Sequence, residues 1–473
     1  MRLRRLLASA RRLAAATRPT HPDVERALAE RWESLPEHVK TPAQMLGQRF
    51  AGCEGTHGVF PRCNMACTPC YHSREANHVR IDADHTLSEV EAQMAYMRAR
   101  RGPGQHAQLI GGEVTLLGPA AHARVLDVMH AYGRKPMSMS HGDFDYDYLV
   151  ALTVDEHGRR RFDHVSFALH IDSTMVGRRG ARRPQTEVEL NPIRQRVCEM
   201  FRRLEREHGV RSYLAHNMTV TPHNIDQIAG VVSDCRGMGF RMFSFQPAAA
   251  VGDPRRWATD RGVMNDDMVW SEIERGIGVR LPHSALQVGD TRCNRTVWGL
   301  DVGGRYVPLL DEQNPVDLRA RDAVIQAFPG VDFAAPRPLL AARLARIVAR
   351  RPSLIPVAVA WAARLIRRSG PLRMMRHGAR PLTVVMHSFM DASVVRPAWD
   401  LLQRGEQSDD PEIRAAQERL QACSYLMAHP DRDLLVPACA QHAVFDPEEN
   451  LRLRTLLPLV RPSTPKRVPA RGQ

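Results

Sequence analysis

Three cysteines stand in the run Cys63-Asn-Met-Ala-Cys67-Thr-Pro-Cys70. This CxxxCxxC spacing lets three thiolates reach three corners of one 4Fe-4S cube, leaving the fourth iron without a protein ligand and open to a small molecule. The same thiols also suit a zinc site, with Cys53, His57 or His72 as a fourth ligand. About forty residues on comes Leu109-Ile110-Gly111-Gly112-Glu113, an apolar strand running into a turn, followed by Gly118-Pro119. By itself such a turn is an ordinary strand-to-helix connection.

The elements that must position these residues alternate. From about 55 to 247 short apolar runs are followed by amphipathic stretches, the pattern of βα units around a parallel sheet. Six units are predicted. The strands lie near Gly58 to Arg62, into the Gly111-Gly112-Glu113 turn, and at Pro136 to His141, His164 to Asp172, Tyr213 to Val220 and Phe240 to Gln246. In the fourth, Val165, Phe167, Leu169 and Ile171 alternate with Ser166, Ala168 and His170, so one face is apolar and the other chemical. Thr86 and Glu89 form a capping-box pair, and Asn191-Pro192 opens a helix that Gly209 stops. Parallel barrels place active sites at the C-terminal ends of their strands, where His170, Asp172, Asn217, Thr219 and Gln246 fall. A strand-end His or Asn also serves to satisfy loop backbone, and that alternative stays open for each.

The cysteine run and the glycine-glycine-glutamate turn together resemble the radical SAM superfamily. The resemblance implies an open partial (β/α)6 barrel, a 4Fe-4S cluster on Cys63, Cys67 and Cys70, and S-adenosylmethionine chelated by the open iron. It implies that Gly111 and Gly112 allow close backbone approach, that Glu113 contacts the methionine ammonium, and that polar residues after strands four and five touch the nucleotide. An electron donor such as flavodoxin or ferredoxin is implied as a partner.

Composition bounds the remainder. With 66 Lys+Arg against 52 Asp+Glu the chain carries +14, which suits anionic partners. Nine cysteines, clustered once, do not form a disulfide framework, and iron-sulfur ligation needs reduced thiols, so a cytoplasmic protein is expected. No stretch reaches the roughly twenty apolar residues of a spanning helix. Residues 1–20 interleave leucines with arginines, as a short interfacial helix or a basic tail would.

Between Phe333 and Met390 there is no Asp or Glu, yet there are eleven arginines. Leu339, Leu340, Leu344, Ile347 and Val348 keep helical spacing there, and Leu354 to Ile366 is mostly apolar. Such a module suits an anionic membrane surface or simply a solvated surface helix pair over the barrel mouth; scarce aromatics weigh against nucleic acid. Neutralising Arg343, Arg346, Arg364 and Arg367 is expected to weaken vesicle binding.

Further along, Phe245-Gln246-Pro247 with Gly252, Cys293-Asn-Arg-Thr-Val-Trp-Gly, Met386 to Asp391, Cys423-Ser-Tyr and Leu435-Val436-Pro437-Ala438-Cys439 resemble the tetraether lipid synthase group. That resemblance implies a long hydrophobic substrate and carbon-carbon coupling of unactivated lipid tails. Members carry paired cysteines upstream of the core, whereas here only Cys53 precedes Cys63, which speaks against an upstream auxiliary cluster. Cys293, Cys423 and Cys439 are candidates for a second iron site, with a fourth ligand from Cys53, His387, His442 or substrate; the alternative is buried packing, expected also of Cys198 and Cys235. The organisation expected is an N-terminal basic helical extension (1–50), a core barrel (51–250), a post-core region (251–332), the basic amphipathic insert (333–380) and a C-terminal α+β extension (381–473). Two other readings remain open: a radical SAM peptide-modifying enzyme and a zinc-stabilised nucleic-acid-binding protein.

Overall fold

The computed structural model describes residues 17–72, 74–252 and 264–459; the N-terminal stretch read as an interfacial helix or basic tail lies mostly outside them. The strands are β1 Cys53–Gly55, β2 Ala66–Cys67, β3 His106–Leu109, β4 Lys135–Ser140, β5 His164–His170, β6 Met175–Val176, β7 Arg211–Val220, β8 Met242–Pro247, β9 Asn294–Val302, β10 Arg305–Pro308, β11 Arg380–His387, β12 Tyr425–His429 and β13 Leu434–Pro437. Eleven of them form one sheet in the order β10-β9-β11-β8-β7-β5-β4-β3-β1-β12-β13, and β2 pairs β6 separately.

Within that sheet β1, β3, β4, β5, β7 and β8 are parallel neighbours with helices between them, an open partial (β/α)6 barrel. Five strands match the periodicity to within a few residues. The first does not, because Cys53–Gly55, not Gly58 to Arg62, pairs with β3. Among the described residues no further βα repeat follows β8 in sequence, yet β11 joins it in parallel and β12 joins β1 in parallel. Antiparallel β9, β10 and β13 then complete the two edges.

The alternation in β5 explains the layering. Phe167 turns outward onto helix Asn191–His208, its ring 5.2 Å from that of Phe201, while Ala168 and His170 turn to the inner face. Both faces are therefore covered, as a parallel sheet requires. Beneath β1 the buried Glu54 carboxylate takes two hydrogen bonds from Arg134, at 2.9 and 3.0 Å, with Arg101 at 3.4 Å. Cys198 and Cys235 pack in the core as expected.

Two helix starts differ from the sequence reading. Helix Ala83–Arg101 begins one turn early, capped by Asp82, whose carboxylate accepts from the His85 N–H at 3.0 Å, so Thr86 is already inside it. Asn191 is the first residue of its helix and makes no side-chain cap; its amide oxygen accepts from Arg194 instead. Among the described residues no helix is long and apolar enough to cross a membrane.

Candidate active site

The cysteine loop is fixed on three sides. The glycine turn packs directly on the backbone leading into it: Gly112 N–H donates to Phe60 O at 2.8 Å and Glu113 N–H to Arg62 O at 3.0 Å. A β-carbon on Gly112 would lie 2.0 Å from the Arg62 carbonyl oxygen, so only glycine fits there. The close approach is thus of chain to chain, anchoring the cysteines. On the second side, the β2–β6 ribbon pairs Ala66 and Cys67 with the segment after β5. On the third, His141 at the end of β4 reaches Asn64 with Nε2 at 2.7 Å, while its Nδ1 accepts from the Asp143 N–H. Burial pushes this imidazole below its usual range, consistent with a neutral ring.

Cys63, Cys67 and Cys70 line one cavity of about 210 Å³ together with Gly111, Gly112, Glu113, His170, Thr219 and Gln246. All three are partly exposed, and none is in a disulfide. Cys63 Sγ accepts from the Met65 N–H at 3.3 Å, a backbone donor directed at sulfur. The hydroxyl of half-buried Tyr71 is pushed up, first by desolvation and then by Cys70, Asp446, Cys63 and Cys67, so these groups share one neighbourhood.

Glu113 is buried and held by four donors: Thr115 N–H, Thr115 Oγ1 and Ser140 Oγ to Oε1, and His141 N–H to Oε2. Asp172 and Asn217 do not line the cavity. Asp172 sits behind His170, its Oδ2 3.0 Å from Nε2, and accepts from Thr174 and the Thr219 N–H. Burial alone would raise its carboxyl; the His170 hydrogen bond and charge, with the threonine donors, hold it instead at about 2. Asn217 Oδ1 and Gln246 Oε1 are buried acceptors with no partner among the described residues; of the two, only Gln246 faces the cavity.

Sequence reading missed several neighbours. Arg178, fully buried, donates to the carbonyls of His141 and His170 and lies among Asp143, Asp172, Cys67 and Glu113. His442, read from sequence as a candidate ligand of the second iron site, instead enters this cavity from the C-terminal region, its Nδ1 donating to Asp446 at 2.7 Å and its ring 4.4 Å from that of Tyr71. It stands on a π-helical turn, Gln441–Phe445, a geometry frequent at functional sites. Met65, Met139, Met175, Val251 and Phe389 give the cavity an apolar wall.

Two other clusters carry metal-ligand residue types. His57, His429 and Glu449 converge, but His57 donates from Nδ1 to Glu449 at 2.9 Å and from Nε2 to Ala428 O at 2.5 Å. Both ring nitrogens thus face acceptors; burial lowers the ring, and Glu449 outweighs it and raises it above its usual range. Cys293 accepts from Arg419 Nε at 3.2 Å, Cys423 donates to Tyr425 O, and buried Cys439 lies close enough to feel both thiols. Burial pushes Cys293 up to about 11, against Arg419. His387 bonds Asn294 instead, and burial lowers it to about 4.

No family model matches the chain, and no curated protein does. Among solved structures, native anSMEcpe with bound AdoMet is 16% identical with a TM-score of 0.28, over 41% of this chain and 50% of that one. Native anSMEcpe with AdoMet and the Kp18Cys peptide is 13% identical with a TM-score of 0.30, over 47% and 58%. Streptococcus suis SuiB bound to precursor peptide SuiA is 14% identical with a TM-score of 0.28, over 42% and 39%. The chain thus spans about half the length of these chains, and at such TM-scores the likeness carries no argument about its chemistry.

Proposed function

We propose that the chain is a radical S-adenosylmethionine enzyme acting on a hydrophobic, lipid-like substrate. The observation that carries this reading is the convergence of Cys63, Cys67, Cys70 and the Gly111–Glu113 turn on one cavity at the C-terminal ends of the parallel strands. The donor set fits the group. The thiols of Cys63, Cys67 and Cys70 would hold the cluster, and the unpartnered Gln246 Oε1 is an acceptor suited to a nucleotide. When bound, cluster and cofactor supply a one-electron cleavage of the sulfonium and a carbon radical that takes hydrogen from substrate.

The chain's own residues bind, orient and shield. Glu113, immobilised by four donors, is a preorganised carboxylate for the methionine ammonium. His170 and Gln246 contact the nucleotide; Asp172 positions His170, and Asn217 lies behind on β7. Phe389, Val251 and the three methionines exclude water and accept an alkyl chain. His442, oriented by Asp446, holds or moves a proton at Nε2. The finer reading is carbon-carbon bond formation between alkyl tails, with flavodoxin or ferredoxin as electron donor in the reducing cytoplasm. Cys293, Cys423 and Cys439 would hold a second iron site, Cys293 being the one bonded by Arg419.

Anaerobic purification tests the reading. The expected result is a brown protein with about four irons per cluster that yields 5′-deoxyadenosine on reduction. A colourless protein retaining one zinc after iron-sulfide reconstitution overturns it in favour of the zinc reading. Comparing lipid extracts of a strain lacking the protein with its parent tests the substrate.

A further inference from the structure

Helix Leu354–Ser369 is turned inside out. Two of its three arginines face the protein: Arg364 bonds Asp311 at 2.8 Å and Asp317 at 3.2 Å, and Arg368 bonds Asp317 at 3.0 Å and the Pro308 carbonyl at 3.0 Å. Trp361 also points inward, its indole N–H donating to Leu309 O at 2.9 Å. Its outer stripe is apolar, with Ile355 53% exposed, Val359 63% and Ile366 46%, at helical spacing. The next helix, Pro371–His377, also exposes apolar side chains, Leu372 at 77% and Met375 at 76%. A surface helix normally presents the reverse arrangement, and clustered exposed apolar side chains mark a contact surface.

Arg367 and Arg376 are exposed in these two helices and Arg350 at the end of the preceding helix, Arg337–Arg350, and no Asp or Glu occurs between residues 333 and 390. We propose that this face docks on an anionic lipid bilayer, the apolar stripe entering the headgroup boundary and the arginines meeting phosphates. Charge selects this occupant over a second copy of the chain, which would set two arginine-only surfaces against each other. A nucleic acid would leave the stripe in water and find no ring to stack on, since Trp361 is the one Phe, Tyr or Trp of these helices and is held inward.

The docking face stands apart from the reaction proposed above. None of its residues lines the cavity. Arg373 bonds the carbonyl of Gly303, in the turn after β9, and β9 pairs there with Arg380 at the start of β11. The helices therefore sit at the N-terminal end of the parallel strands, opposite the cysteines.

The test is co-sedimentation of the full chain with phosphatidylglycerol/phosphatidylcholine vesicles, against pure phosphatidylcholine. Binding to the anionic vesicles alone is expected, and each of Arg350→Gln, Arg367→Gln and Arg376→Gln should weaken it about fivefold. Val359→Ser with Leu372→Ser should weaken it with the charge intact, and a thermal melt confirms folding of each variant. Equal binding to both vesicle types, or no loss in the charge variants, overturns the proposal. So does a dimer in solution that the two serine substitutions dissociate while vesicle binding is absent. The outcome does not depend on iron loading, so it can fail while the catalytic reading stands.

Discussion

Around the cavity, Asp172 accepts from His170, Thr174 and Thr219, Glu113 is held by four donors, and Arg178 lies among carboxylates. In the helices from Arg337 to His377, by contrast, Arg364 and Arg368 are paired inward while Arg350, Arg367 and Arg376 stand in solvent beside exposed Ile355 and Val359. The first region invests its buried charge in holding a fixed geometry, because an unanswered buried charge is costly. The second leaves charge and apolar surface outward, which is stable only as a marginal surface or against a partner that answers both. The same residue types thus do opposite work, according to what surrounds them.

The largest effect that would break this contrast is at the thiols. Cys67→Ala should reduce both bound iron and S-adenosylmethionine cleavage to background, measured by iron analysis and 5′-deoxyadenosine release; an active variant would remove the cavity from consideration. Next comes the buried scaffold. Glu54→Gln strips the counter-charge from Arg134 and Arg101 and should cost about 3–5 kcal/mol in denaturant unfolding.

Acid sharpens the comparison further. Asp172 is held at about 2 in the fold against an ordinary 3.8, so its contribution is present above about pH 4 and is lost as pH falls through about 2. That should amount to about 2 kcal/mol, visible as an acid limb in stability that Asp172→Asn removes. The smallest effects divide the arginines. Arg364→Gln should cost about 1–2 kcal/mol by removing the partner of Asp311 and one of the two arginines on buried Asp317, which keeps Arg368, whereas Arg367→Gln should lie within about 0.5 kcal/mol. Equal losses would mean that the two helix faces are not distinct.

Much of the positioning was legible. Alternation in β5 separated Phe167 from His170, and Gly209 marked a helix end through its left-handed conformation. The first strand was not, since Cys53–Gly55 is too short for periodicity and is selected by pairing with β3 and β12. Nor was the division of the basic insert. Arg364 and Arg367 look alike in sequence, and only Asp311 and Asp317, about fifty residues earlier, decide which one turns inward. The alternative of a helix pair over the barrel mouth gave way, because Gly303 and Pro308 receive these helices at the β10 edge.

Spacing within a few residues is a local property, so the chain alone determined the thiol triad, the glycine turn and the alternating βα pattern. Tertiary structure alone decided that β11 and β12 flank the barrel strands, that His442 joins the cysteines, and which arginines face out. Those outcomes depend on burial and pairing between segments tens to hundreds of residues apart, and no short-range pattern encodes which distant surface will be there to meet them.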